Sequence, residues 1–259
     1  MMNEFPLVSI VIPTFNSSKF LEETLESALA SNYPNFELIV MDDGSSDSTL
    51  SILNQWANRY SGRIKIYRQP NQGPSIARNR AIHLASGKYI LPLDSDDKIH
   101  PDYISLAVEK IENNQAVKLV YCEAEKFGCK CGIWKLKPFS LNQLALDNMI
   151  FVSALFRKSD WQKIGGFDPR FTYGWEDWEF WISMLKDGGK VEKLKMVGFY
   201  YRIREGSRRK STDALAKKQT IQLLNRKHAA FFENFLSGPL RNPRGLSKII
   251  NPPLRFLAG

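Results

Sequence analysis

The chain has 259 residues, 43% of them apolar, enough for one large α/β domain or a domain with an appendage. It opens without a basic region followed by an apolar stretch and holds no run of about 18 apolar residues, so neither a signal peptide nor a transmembrane helix is expected. The net charge of +9 is lopsided: residues 202–259 carry 13 Lys/Arg against Glu205, Asp213 and Glu233, a net of +10, and residues 1–201 a net of −1.

In chain order, residues 7–12 (Leu-Val-Ser-Ile-Val-Ile) predict a buried strand stopped by Pro13. Ser17 or Ser18 is placed to cap a helix whose apolar face is Leu21, Leu25, Ala28 and Leu29. A second strand spans 36–41. The turn Gly44-Ser45-Ser46-Asp47 leads into a helix through Leu50, Leu53 and Ala57. Residues 64–67 are a third strand. A helix from Pro74 to Ser86 is expected to end at Gly87, and the strand before Asp94 follows. Alternation of strands with helices of this length means a parallel sheet with helices on both faces.

The middle of the chain reads differently. A short strand at 118–122 precedes a hairpin or loop at 123–136, and 150–157 is another strand candidate. Glu176 to Lys186 predicts a helix with Trp178, Trp181, Ile182 and Leu185 on one side. Residues 197–201 predict a last strand. One long amphipathic helix is expected over 213–236, through Ile221, Leu224, His228, Phe231, Phe232 and Phe235. The four prolines beyond Gly238 predict irregular structure. Cys122, Cys129 and Cys131 are odd in number, which argues against a disulfide framework, and the histidines lie too far off in sequence to complete a zinc site. A cytoplasmic protein is expected.

Two acidic clusters directly follow apolar runs: Asp42-Asp43, and Asp94-Ser95-Asp96-Asp97. Carboxylates at the carboxyl ends of buried strands sit where open α/β sheets bind ligands, because a lone charge in the core is too costly. Asp-Ser-Asp-Asp offers hard oxygen donors suited to Mg²⁺ or Mn²⁺, which would also hold a substrate phosphate. In Asp42-Asp43, one carboxylate could accept from a uracil N–H while the other caps the next helix; pure capping by both stays open. Pro13-Thr14-Phe15-Asn16 brings an aromatic ring to the same edge, where a base could stack. Asn71-Gln72-Gly73-Pro74 opens the helix that carries Arg78, placed to reach a base or phosphate. Trp175-Glu176-Asp177-Trp178 sets acids among aromatic rings, which lower local polarity and raise a carboxyl toward a general-base pKa. Arg202 and Arg204 could bind a diphosphate.

In order, these segments resemble the family-two glycosyltransferases: 8–16, 42–47, 71–79, 93–97, Gly-Gly-Phe-Asp (165–168) and Gly-Trp-Glu-Asp-Trp-Glu (174–179). The resemblance implies a GT-A fold, a Rossmann-like, mostly parallel mixed sheet flanked by helices. It implies a glycosyltransferase domain over 1–207 (nucleotide half about 1–98, acceptor half about 99–207) and a C-terminal helix and basic tail over 208–259. It implies inverting sugar transfer from a nucleotide sugar, most often UDP-linked, to a carbohydrate or lipid-linked acceptor in surface polysaccharide or glycolipid synthesis. Pro13, Phe15, Asp43, Asn71, Arg78, Asp94 and Ser95 then face the nucleotide, Asp96 the metal (Mn²⁺ or Mg²⁺), Asp177 is the base and Glu176 its neighbour at the acceptor. Family members often carry Tyr-Arg-x-His where this chain has Tyr201-Arg202-Ile203-Arg204, and arginine neutralises a diphosphate but cannot ligate a cation.

A nucleotidyltransferase would carry a Gly-rich basic loop after strand one, and residues 13–18 have no glycine. A membrane polysaccharide synthase would add transmembrane helices and a Gln-x-x-Arg-Trp motif. A carbohydrate-binding module would have no use for both Asp96 and Asp177. The basic end, with Arg241, Arg244, Lys248 and Arg255 beside Leu254, Phe256 and Leu257, predicts peripheral contact with an anionic inner membrane face; nucleic acid is not expected as a partner.

Overall fold

The computed structural model describes residues 5–205 and 214–241. Its N-terminal half is an alternation of β1 (Val8–Thr14), α1 (Leu21–Leu29), β2 (Phe36–Asp42), α2 (Thr49–Arg59), β3 (Ile64–Arg68), α3 (Pro74–Leu84) and β4 (Tyr89–Pro92). The four strands are parallel, in the order β3-β2-β1-β4. Every residue of β1 and β2 is buried, as a sheet covered on both faces requires. The chain runs from β1 outward to β2 and β3, then returns to place β4 on the other side of β1. That reversal opens a crevice at the carboxyl ends of β1 and β4.

The second half turns the sheet mixed. β8 (Leu155–Arg157) runs antiparallel between β4 and β6 (Val117–Gly128). β9 (Lys190–Ile203) is parallel to β6, and β5 (Lys98–Ile99) closes the far edge. The short β7 (Gly132–Trp134) forms a hairpin with β6. Helices α4 (Tyr103–Asn113), α5 (Leu141–Leu146), α6 (Lys158–Ile164) and α7 (Glu176–Leu185) complete this half, and α8 (Ala214–Lys227) and α9 (Ala229–Leu236) follow β9.

Several sequence expectations are corrected. Pro13 lies inside β1. Val11 O accepts from Leu93 N, so Val11 and Pro13 both face β4, whose ladder has ended by then; the missing N–H costs no bond. Neither Ser17 nor Ser18 caps α1 with its side chain; the Ser17 carbonyl instead accepts from Phe20 N and Leu21 N. Gly87 does not terminate α3, which stops at Leu84. It is required by close approach, since a Cβ there would sit 2.6 Å from Ser9 N. Of the strand expected over 150–157, only Leu155–Arg157 joins the sheet. The strands expected at 118–122 and 197–201 both run far longer, paired with each other through a bulge at Cys122 and Glu123. The helix expected over 213–236 is two helices, broken at His228 (φ −123°, ψ 35°). The irregular segment expected beyond Gly238, and the basic residues Arg244, Lys248 and Arg255, lie outside the described residues after position 241.

Candidate active site

A cavity of about 990 Å³ opens at the carboxyl ends of β1, β2 and β4. Pro13, Phe15, Asp43, Asn71, Arg78, Asp94, Ser95, Asp96, Glu176, Asp177, Arg202 and Arg204 all line it. Residues from Pro13 to Arg204 therefore meet at one opening.

On the side of β1 and β2, the buried Asp43 directly follows β2 and gathers the loop at 69–73. Its Oδ1 accepts from Gln69 Nε2 (2.6 Å) and Gln72 N (2.9 Å), and its Oδ2 from Gly73 N (2.8 Å). An ionised carboxylate has about four acceptor positions, so one is left on a residue that lines the cavity. Gly44, at φ 79°, lets this loop close in: a Cβ would lie 2.9 Å from Asn71 N. Neither acid of the Asp42-Asp43 pair caps α2. Asp42 Oδ1 accepts from Ser45 N (3.1 Å), Arg68 Nε pairs with its Oδ2 (3.1 Å), and Asp47 Oδ1 receives Thr49 N at the helix start. Phe15 stands at the rim, 48% exposed, with a free aromatic face.

The acids after β4 are divided among arginines. Arg78, 2% exposed, donates from Nη2 to Asp94 Oδ1 (2.8 Å) and places Nη1 3.8 Å from Glu176 Oε1, over the ring of Phe167. It thus joins protein partners on both sides of the cavity, while its buried Nε and Nη1 have no hydrogen-bond partner among the described residues. Asp96 Oδ2 pairs with Arg204 Nε (3.0 Å), and Ser95 Oγ lies 2.7 Å from Ser17 Oγ. Burial, then the charge of Asp94, push the Asp96 carboxyl up, against the pull of Arg204. Arg202 also lines the cavity. Its guanidinium is enclosed between Phe20 and Phe127, donates to the Asp96 carbonyl (2.8 Å) and pairs with Glu23 (3.0 Å). Asp97, unassigned by sequence, is buried and accepts from Arg202 N (2.8 Å), so it ties β9 to the loop after β4.

On the opposite wall, α7 begins abruptly. Gly174 (φ 102°) and Trp175 (φ 67°) form a left-handed turn that no side chain caps, and Glu176 and Asp177 project from the first helical turn. Holding Trp175 there costs roughly 1 kcal/mol or more. Asp177 is half-buried at the cavity wall. Asn148 Nδ2 donates to its Oδ2 (2.9 Å) and Trp178 N to its Oδ1 (2.8 Å). Burial, then the neighbouring charge of Glu176, push its carboxyl up to about 7. The result is an oriented carboxylate that takes a proton near neutral pH.

The model of glycosyl transferase family 2 matches residues 9–169, and that of the N-terminal domain of galactosyltransferase matches 152–206. The chain belongs to glycosyl transferase family 2. The Bacillus subtilis protein TuaG, named for a glycosyltransferase of teichuronic acid biosynthesis, is 33% identical over 192 residues, covering 73% of this chain and 75% of its own. The hyaluronan synthase of Pasteurella multocida is 27% identical over 79% of this chain, but the match spans only 21% of that larger relative. Among solved structures, S. aureus TarS 1–349 in complex with UDP-GlcNAc superposes with a TM-score of 0.71 over 89% of this chain and 70% of that one, at 21% identity. A Pyrobaculum calidifontis mannosyltransferase in complex with GDP-Man and Mn²⁺ gives 0.70 over 91% and 69%, at 19% identity. The fold is that of the GT-A members of this family. No described helix is long and apolar enough to cross a membrane.

Sequence reading missed several residues around this family site. Asn148 sits in a stretch without a motif. Trp134 and Tyr201 form a ring pair 5.0 Å apart on the cavity wall. A buried ionic clasp joins α7 to α8: Glu179 Oε1 meets His228 Nε2 (2.8 Å) and Lys227 Nζ (2.9 Å), and Lys227 also reaches Asp168 Oδ2 (2.9 Å). Among the signals available, only the polar His228 on an otherwise apolar helical stripe pointed there.

Proposed function

We propose that this glycosyltransferase moves a sugar from a UDP-sugar to an acceptor hydroxyl with inversion, in the building of a surface polysaccharide or glycolipid. The reading is carried by one observation: the raised, oriented carboxylate of Asp177 faces the same cavity as Asp43, Asp94 and Asp96. The remaining acceptor position of Asp43 suits a pyrimidine N–H, and Phe15 offers the base a stacking face. TarS binds UDP-GlcNAc in the same fold, which supports the choice of nucleotide.

No three described His, Cys, Asp or Glu side chains form a ready-made metal centre. Asp94 and Asp96 nevertheless fit Mg²⁺ or Mn²⁺, because such ions are often held by one or two carboxylates completed by substrate phosphates. Asp96 would hold the ion, which when bound neutralises the diphosphate as it leaves. Arg204 adds a second positive charge on that side. Asp177 accepts the acceptor hydroxyl's proton as that oxygen attacks the anomeric carbon from the face opposite the diphosphate; a single displacement inverts the centre. Asn148 keeps the base aimed. The basic end of the chain supports peripheral contact with an anionic inner membrane face, and co-sedimentation with anionic against neutral vesicles tests that contact.

Asp177→Asn is expected to lower transfer at least about 1,000-fold while UDP affinity stays within about twofold, because the base matters only in the transition state. In the wild type, kcat/KM should rise with pH up to about 7 and then level, since the proton on Asp177 must leave first. Wild-type turnover by the Asn variant at saturating acceptor would sink the assignment.

A further inference from the structure

Helix α8 lies beyond the residues matched by either family model, yet one of its faces lines the active-site cavity. Lys217, Thr220 and Ile221 face the cavity, at spacings of three and four that put them on a single stripe. The same stripe continues through the buried Leu224 to Lys227 and His228, which the clasp fixes to Glu179 and Asp168. Glu179 is fully buried and lies two residues from Asp177 in α7. The helix is therefore a fixed wall of the cavity, anchored to the element that carries the base.

Among the described residues, four cations line that cavity. Arg78 is paired with Asp94, Arg202 with Glu23 and Arg204 with Asp96. Lys217 is exposed and makes no ion pair with any described residue. An ammonium that faces a cavity and has no ion-pair partner among the described residues needs an anion to offset it when a ligand displaces its water. The acids assigned to the nucleotide and diphosphate lie inside the residues matched by the family models, whereas Lys217 lies outside them. A cation added outside the shared pattern serves what family members do not share, which is the acceptor.

We propose that Lys217 selects an acceptor bearing an anionic group, a sugar carboxylate or a phosphodiester, with α8 as the wall that presents it. This rests on the glycosyltransferase reading of the cavity. Isothermal titration of the full chain with four probes tests it: UDP, a tetrasaccharide ending in glucuronate, a glycerol phosphate oligomer and neutral maltotetraose. The wild type should bind one anionic oligomer at least about tenfold tighter than maltotetraose, and which one binds names the anion. Lys217→Ala should erase that preference and leave UDP affinity within about twofold. Lys217→Arg and Lys218→Ala, the latter outside the cavity lining, should keep the preference. No anionic preference in the wild type, or its survival in Lys217→Ala, overturns the proposal. So does a loss of UDP affinity in Lys217→Ala as large as the loss for the anionic oligomer, which would assign Lys217 to the diphosphate. Failure of the wild type to bind UDP counts against the donor assignment instead, because the oligomer arms read the anion preference independently.

Discussion

The two sides of the cavity hold their carboxylates in different ways. On the side of β1, β2 and β4, backbone N–H groups hold three of the five acids, Asp43 by Gln72 and Gly73, Asp42 by Ser45 and Asp97 by Arg202, while Asp94 and Asp96 pair with the side chains of Arg78 and Arg204. On the acceptor side the partners are mostly side chains: Asn148 for Asp177, Lys227 and Arg170 for Asp168, and His228, Lys227 and Ser183 for Glu179. Backbone donors depend on the turn and tolerate change in the residues that make it. Side-chain donors fail when a single residue changes. The first arrangement suits a ligand common to a family, and the second a ligand that varies.

Substitutions can break or sharpen this contrast. The largest effect is expected for Glu179→Ala, which strips the partner from the buried His228 and leaves Lys227 with Asp168 alone. Breaking such a buried cluster costs about 3–5 kcal/mol, read by urea unfolding. A loss below about 1 kcal/mol would show that α8 is not anchored there. Asp43→Ala should cost about 2–3 kcal/mol, because it strips the acceptor from two loop N–H groups and from Gln69. It should also abolish UDP binding measured by titration; retained affinity would remove Asp43 from the nucleotide site. The smallest effects separate two neighbours. Arg202→Ala should cost roughly 1–2 kcal/mol through lost packing between Phe20 and Phe127. Arg204→Ala should leave stability within about 0.5 kcal/mol and weaken UDP about fivefold. The reverse pattern would exchange their roles.

The same contrast explains what was legible in the sequence. Asp43, Asp94, Asp96 and Asp177 stand out because acids directly after apolar runs, or among tryptophans, conflict with burial unless they serve a site. The parallel half of the fold was legible from its regular alternation. The lengths of β6 and β9 were not, since each is fully buried over only part of its course and polar residues interrupt the rest. Asn148 carried no local signal, because its role exists only once α7 lies beside it. The break at His228 was hidden by a continuous helical periodicity. What stops the helix there is accompanied by the bond to Glu179, a contact 49 residues away. Arg202 and Arg204 read alike as arginines for a diphosphate, and since both lie over Phe20, only the ring of Phe127 and the pairing with Glu23 set Arg202 apart.

The distribution of indoles makes this molecule its own optical probe. Of the six tryptophans, Trp134 and Trp175 line the cavity, and both stand on the acceptor side. Trp178 and Trp181 are sealed in the core with their N–H groups bonded to the carbonyls of Leu144 and Ile150. Trp56, on α2, donates to Glu22, and Trp161 lies beside Asn79; neither lines the cavity. Emission should therefore shift when an oligosaccharide enters and change little when a nucleotide does. Filling of the two subsites could then be timed separately in a stopped-flow instrument without a label. Trp134→Phe and Trp175→Phe would show which indole carries the signal.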